Sequence, residues 1–198
     1  MMKQIKVSEF SRKIIHLFNM AIPLVHIYVL KDRMDMLIFL SFMLIFCFFI
    51  EIIRSQNLLL SNFFQKYLFP IMRDFEKKGE ITGATWVFAG SLITVILVPK
   101  PFCLLALFFL ATGDTFAALI GIKYPIYKIG HKTLSGSIAC FATCCIIGSL
   151  FSFGIDSFVI IVGAFIATLT ELVSKKINDN LSIPILSGLS MYMINLSI

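Results

Sequence analysis

Gly113-Asp114 stands inside an apolar run, and further on the chain reads Lys132-Thr133-Leu134-Ser135-Gly136-Ser137. A carboxylate in hydrocarbon-type sequence costs about 2.5–3.5 kcal/mol on insertion scales, so by default it marks a functional site. The other reading of Asp114 is a buried aspartate paired with a lysine or arginine from another helix, or held protonated. The Gly/Ser/Thr-rich segment offers backbone N–H groups, hydroxyls and an ammonium, a donor set suited to phosphate. A carboxylate for a divalent cation and donors for phosphates together suggest nucleotide chemistry at a membrane surface. On that reading Asp114→Asn is expected to relieve a desolvation cost while removing the charge a cation needs.

Several further sets could serve the same chemistry. Glu9, Arg12 or Lys13, and His16 fall on one helical face, which an ordinary basic flank with an interfacial histidine also explains. Glu51 and Arg54 form an i, i+3 pair that a structural salt bridge explains equally well. Arg73, Asp74, Glu76, Lys77, Lys78 and Glu80 crowd in before Thr82-Gly83-Ala84-Thr85. A charge run is usually a solvated face, but this one abuts a turn at a helix mouth, where N–H groups and hydroxyls favour anions. Glu171 lies at a helix end and could simply pair with Lys175. Asp179-Asn180, just before Pro184, could bind metal or nucleotide, or could cap a helix. Gly130-His131-Lys132-Thr133 is not a Walker loop, because no glycine stands five residues earlier and an apolar helix follows. Cys47, Cys103, Cys140, Cys144 and Cys145 lie in apolar runs without a C-x-x-C pair and read as buried free thiols.

The elements that must position these residues are apolar helices. Apolar residues make up 59% of the 198 and the mean hydropathy is +0.95, well above a soluble domain's roughly 45–50% apolar content. This predicts one integral membrane domain over 1–198, all-α, with about seven transmembrane helices, six being the alternative count. The expected spans are 14–30, 36–53, 84–98, 102–122, 134–153, 158–173 and 183–198. An amphipathic interfacial helix is expected over 58–73, where Leu58, Leu59, Phe63, Phe64, Tyr67, Leu68 and Ile71 repeat at helical spacing. The basic start before the first apolar run resembles a signal peptide, but His16, Asn19 and His26 interrupt the run, so a first spanning helix is preferred.

Charge then orients the bundle. With a cytoplasmic N-terminus, only Lys31, Arg33 and Lys100 of the 17 Lys and Arg fall outside, a strong positive-inside pattern. That topology puts the candidate residues on, or just below, the cytoplasmic face. A transporter would instead show polar groups at several depths, with a site near the midplane. The basic excess needs no nucleic acid, since no aromatic-interleaved basic patch accompanies it.

The ordered set Arg12-Lys13-x-x-His16, Glu51-x-x-Arg54, Thr82-Gly83-x-Thr85, Gly113-Asp114-x-x-Ala117, Lys132-Thr133-x-x-Gly136-Ser137, and Glu171 followed by Asp179-Asn180-x-x-x-Pro184 resembles the CTP-dependent lipid-alcohol kinases. That group includes dolichol kinase, phytol and farnesol kinase, and the CTP-dependent diacylglycerol kinase. Phosphatidate cytidylyltransferase belongs to the wider clan, but its Pro-Gly-His-Gly-Gly segment is missing here, and Ser135 stands where the clan often has Glu. The resemblance implies transfer of the γ-phosphoryl of CTP to a polyprenol-type alcohol or diacylglycerol, in a bacterial inner membrane-type or ER-type bilayer. It implies Mg²⁺ on Asp114 with Asp179 or Glu171, and phosphates met by Lys132, Arg73 and the N–H groups around Gly136. Asp114, Glu76 and His16 are the candidate bases. The alternatives are cytidylyl transfer to a lipid phosphate and a small transporter.

Overall fold

The computed structural model describes residues 7–56, 72, 74–77, 79–174 and 178–198. The described chain is almost entirely helical. The first apolar segment is α1 (Val7–Leu17), a single 3-10 turn (Phe18–Met20) and α2 (Ala21–Tyr28). Then come α3 (Arg33–Gln56), the short α4 (Asp74–Lys77), α5 (Gly83–Leu97) and α6 (Lys100–Lys123). A hairpin of two-residue strands, β1 (Lys128–Ile129) and β2 (Lys132–Thr133), leads into α7 (Leu134–Leu150), α8 (Ser157–Val173) and α9 (Asp179–Asn195).

Helix α6 is the post around which the others stand. It is apolar on every side (Phe102 to Ala111 is buried throughout), as expected of a helix with no solvent-facing stripe. Helices α1, α2, α7, α8 and α9 all pack on it, while α9 also packs along α5 and α8. Phe108 and Phe109 are fully buried, as are Leu105 of α6, Ile183 and Met191 of α9, and Met36 and Leu40 of α3. Buried hydroxyls within these helices turn back on their own backbone: Thr94, Thr112, Thr115, Thr168 and Ser187 each donate to the carbonyl four residues earlier, so no polar partner is needed across the bundle.

Helical segments occupy all seven places expected, with shifted ends; the first begins at Val7 and the last at Asp179. Among the described residues, α3 and α6 are long and apolar enough to cross a membrane, whereas α5, α7 and α8 are shorter apolar helices. The two long helices differ in burial, 78% of the apolar window of α6 against 11% for α3. Helix α3 packs on α5 and leaves Ile38, Phe42, Ile45 and Phe49 exposed. The expected interfacial helix over 58–73 lies outside the described residues, Met72 excepted.

The hairpin is the one departure from an all-helical reading among the described residues. Ile129 faces Lys132 and Lys128 faces Thr133 in antiparallel register, leaving Gly130-His131 as a two-residue loop. Gly130 has φ of 61°, a positive first position that suits a type II′ hairpin turn and that glycine adopts without a Cβ penalty.

Candidate active site

Asp114 sits just past the middle of α6 and is 4% exposed. Its neighbours come from α1. Lys13 Nζ donates to Asp114 Oδ2 at 2.6 Å and to its carbonyl at 3.3 Å, and Lys13 is itself 3% exposed. One turn later, His16 Nε2 lies 3.2 Å from the same Oδ2 and 3.3 Å from the Leu110 carbonyl. The Asn19 amide stands 3.0 Å from His16 Nδ1. With that amide donating to Nδ1, the ring hydrogen belongs on Nε2 and points at Asp114. The imidazole therefore braces the carboxylate rather than offering it a free lone pair. Arg12 pairs with Glu9.

A cavity of about 320 Å³ opens beside this cluster, lined by Asp114 together with Arg12, Lys132, Glu171 and Asp179. The hairpin aims Lys132 into it, where its ammonium contacts the buried Glu171 carboxylate and lies 3.6 Å from Asp179 Oδ2. Burial alone would pull the Lys132 ammonium below its ordinary range. The carboxylates of Glu171, Asp114 and Asp179, and the hydrogen bond to Glu171, outweigh that and hold it above. Lys132 is thus a protonated cation at any physiological pH.

Just behind Lys132, the Thr-Leu-Ser-Gly-Ser segment opens α7. Thr133 is its N-cap, accepting from Gly136 N at 3.1 Å, the usual role of a hydroxyl before a helix. Ser135 donates to Thr133 Oγ1 and accepts from Ile126 N, while Ser137 donates to the Thr133 carbonyl. A Cβ on Gly136 would lie 2.7 Å from the Ala117 carbonyl, so glycine lets α7 come close to α6 beneath the site. Gly113 plays a similar part higher up, facing the thiols of Cys140 and Cys144.

A second polar set fastens α3 to the mouth of α5. Glu51 pairs with Arg54 at 2.7 Å and accepts from Thr82 N at 2.8 Å and the Thr85 hydroxyl at 3.2 Å. Arg54 donates to the carbonyls of Glu76 and Glu80. Glu76 Oε1 accepts from Gly83 N at 2.8 Å. The anions at this helix N-terminus are therefore the protein's own carboxylates, occupying N–H groups that the sequence offers to phosphate. Asn180 bridges to the same turn, donating to the Gly83 carbonyl at 3.2 Å. A second cavity, also about 320 Å³, is lined by His16, Glu76, Thr82, Gly83 and Asn180 together with apolar residues of α1, α3 and α5. Arg12, Lys13 and Asp114 line both cavities.

Of the residues singled out by sequence, Asp114, Lys132, Glu171, Asp179, Arg12, Thr133 and Gly136 meet at the first cavity. Glu51, Arg54 and Thr85 belong to the α3–α5 fastening, and Arg73 lies outside the described residues. At the start of α9 the cap is Asn178, whose side chain accepts from Asn180 N. That leaves Asn180 for α5 and an oxygen of Asp179 for Lys132. Asn19 and His131 were not among the predicted site residues, and Lys13 stood only as the alternative to Arg12; yet Lys13 and Asn19 build the Asp114 cluster and His131 lines the first cavity. The signal for Lys13 was its i, i+3 spacing to His16.

Among the described residues, no three His, Cys, Asp or Glu side chains converge into a metal-ligand cluster. Magnesium on a nucleotide asks less, usually one or two carboxylates completed by phosphate oxygens and water. Glu171 and Asp179, both directed at the Lys132 ammonium, supply such a pair of oxygen donors, so the residues fit.

No family model matches the chain, and no solved structure gives a significant match. The chain is 27% identical over 162 residues to CTP-dependent diacylglycerol kinase 1 of Schizosaccharomyces pombe, covering 73% of this chain and 74% of that one. It is 34% identical over 132 residues to an uncharacterized protein of Methanocaldococcus jannaschii, covering 61% and 65%. With 32% identity over 185 residues, covering 89% of this chain and 90% of the relative, the chain belongs to the family of the uncharacterized protein RP860 of Rickettsia prowazekii.

Proposed function

We propose that this protein is a membrane-embedded lipid kinase that transfers the γ-phosphoryl group of CTP to the hydroxyl of a polyprenol-type alcohol or diacylglycerol. In this reading its helices cross the bilayer about seven times, with the N-terminus and the site on the cytoplasmic side. The observation that carries the proposal is the first cavity, which is lined by a hairpin lysine and by carboxylates of α6, α8 and α9. The distant likeness to a CTP-dependent diacylglycerol kinase points the same way.

In the transfer, the lipid oxygen forms a bond to the γ-phosphorus while the bond from that phosphorus to the β,γ-bridging oxygen breaks. CDP leaves, and the hydroxyl proton passes to a base at the junction of the two cavities. Such a reaction asks the protein chiefly for positioning and charge stabilisation. Lys132 and Arg12 meet the phosphates. The hairpin and the Thr133 cap hold Lys132 in place, and Lys13 and His16 fix the direction of Asp114. Mg²⁺, which Asp179 and Glu171 with Asp114 across the cavity would hold, supplies neutralising charge to the phosphate oxygens. Incubation of purified protein with CTP labelled at the α- or γ-phosphate and a set of lipid alcohols tests the reading. CDP and a labelled lipid phosphate are expected. Pyrophosphate release would identify a cytidylyltransferase instead, and no turnover with any nucleotide would leave a carrier.

A further inference from the structure

A transfer between two bound molecules needs two compartments that meet at one point, and this molecule has them. The first cavity is the charged one. The second is walled by Ile15 of α1, Cys47 and Ile50 of α3, and Ala84 and Val87 of α5. Its polar lining falls into two sets: Arg12, Lys13, His16, Asn19 and Asp114, three of which also line the charged cavity, and Glu76, Thr82 and Asn180 at the mouth of α5. Ile15 lines this cavity while remaining 51% exposed, and Ile14 and Phe18 beside it are exposed too. The apolar lining thus continues onto the outer surface of α1, and on α3 Phe46 and Phe49 are likewise exposed next to Cys47 and Ile50.

We infer that the second cavity is the acceptor subsite. It takes the hydroxyl-bearing end of a lipid alcohol, with the hydroxyl at Asp114 and the hydrocarbon leaving past Ile15, Cys47 and Ile50 into the bilayer. This rests on the kinase reading and deepens it. A cavity with an apolar wall on α1, α3 and α5 that continues onto exposed apolar surface, and that joins the charged cavity at Arg12, Lys13 and Asp114, suits a molecule with a polar end and a hydrocarbon tail.

Cys47 makes the inference measurable without turnover. In detergent micelles, N-ethylmaleimide alkylation of Cys47 is followed by peptide mass spectrometry with dioctanoylglycerol, farnesol or CTP present. Dioctanoylglycerol or farnesol is expected to slow alkylation of Cys47 about fivefold or more, as a ligand that occludes a site does when present well above its Kd. CTP alone is expected to leave the rate unchanged. Protection by CTP and not by either alcohol, or by none of them, would overturn the assignment. In parallel, Val87→Trp, which adds bulk to the apolar wall that α5 gives this cavity, should raise KM for the lipid about tenfold with KM for CTP unaltered. An increase confined to KM for CTP would also overturn it. Cys47 protection by the alcohols in a protein that forms no CDP would sink the kinase reading and leave the lipid subsite standing. CDP formation without protection would do the reverse.

Discussion

A lysine and an aspartate that bury each other create a charge pair that neither can leave alone. Lys13 and Asp114 are 3% and 4% exposed and 2.6 Å apart. Removing one partner of such a pair strands the other and costs about 3–5 kcal/mol, whereas replacing both can be close to neutral. Asp114→Asn, which the sequence alone predicts to relieve a desolvation cost, should therefore destabilise, because it leaves a buried ammonium with only a neutral amide. Lys13→Met should do the same, and the double variant should recover most of the lost melting temperature in detergent while staying inactive. A double variant that regained activity would make the pair purely structural. At Lys132 the comparison is with Lys128, exposed on the neighbouring strand. Lys132→Ala should raise KM for CTP about tenfold or more, the scale of a lost charged contact to phosphate of 1.5–3 kcal/mol, with Lys128→Ala near the parent value. Equal, mild effects would reduce Lys132 to a topological charge. Asp114 was legible because a charge in an apolar run stands out, Lys132 because a Gly/Ser/Thr-rich segment follows it, and Glu171 and Asp179 because they stand where apolar helices end and begin. Lys13 stood only as an alternative to Arg12, since a lysine beside the first apolar segment also reads as an orientation signal, and only the packing of α1 on α6 buries it.

At the scale of elements, the junction between hairpin and α7 decides where Lys132 points. Its parts are Gly130 in the turn, Thr133 as cap, and Gly136 against α6. Thr133→Ala should cost about 1 kcal/mol, the usual worth of an N-cap hydroxyl, and Thr133→Ser or Thr133→Asp should restore most of it. If the hydroxyl instead served mainly as a phosphate ligand, Thr133→Ala would leave the melting temperature unchanged and raise KM for CTP, and Thr133→Asp would abolish binding by repulsion. The helices themselves were readable from apolar runs and their polar breaks, which is why all seven places carry helical segments. The hairpin was not, because two strands of two residues each are too short to show an alternating pattern. The mouth of α5 went astray for a related reason. A Thr-Gly-x-Thr turn announces an anion site, but that Glu51 and Glu76 are the anions depends on how α3 and α4 pack, which local sequence does not encode.

Over the whole molecule, the two ends of α6 use charge differently. The end near Lys123 carries both cavities. At the end near Lys100, Arg33 donates to the carbonyls of Val95 and Ile96 at the C-terminus of α5, and Lys100 donates to the Lys31 carbonyl. A cation at a helix C-terminus satisfies orphan carbonyls and complements the helix dipole. Arg33 and Lys100 thus have local reasons to be where they are, as caps of backbone that would otherwise end unpaired. Setting them aside leaves Lys31 as the remaining cation that the predicted topology places outside, which sharpens the positive-inside asymmetry. Asp156, the N-cap of α8, lies in the turn between α7 and α8, and those helices run from the hairpin end to the far end and back. A reporter inserted at Asp156 should therefore be extracytoplasmic, and one at Lys128 cytoplasmic. The comparison is stringent because one helix, α7, separates the two positions, and its crossing is the only way they can differ. Opposite labelling would place both cavities outside, away from any cytosolic CTP. Labelling of both on one side would mean that α7, only 17 residues long, does not cross at all.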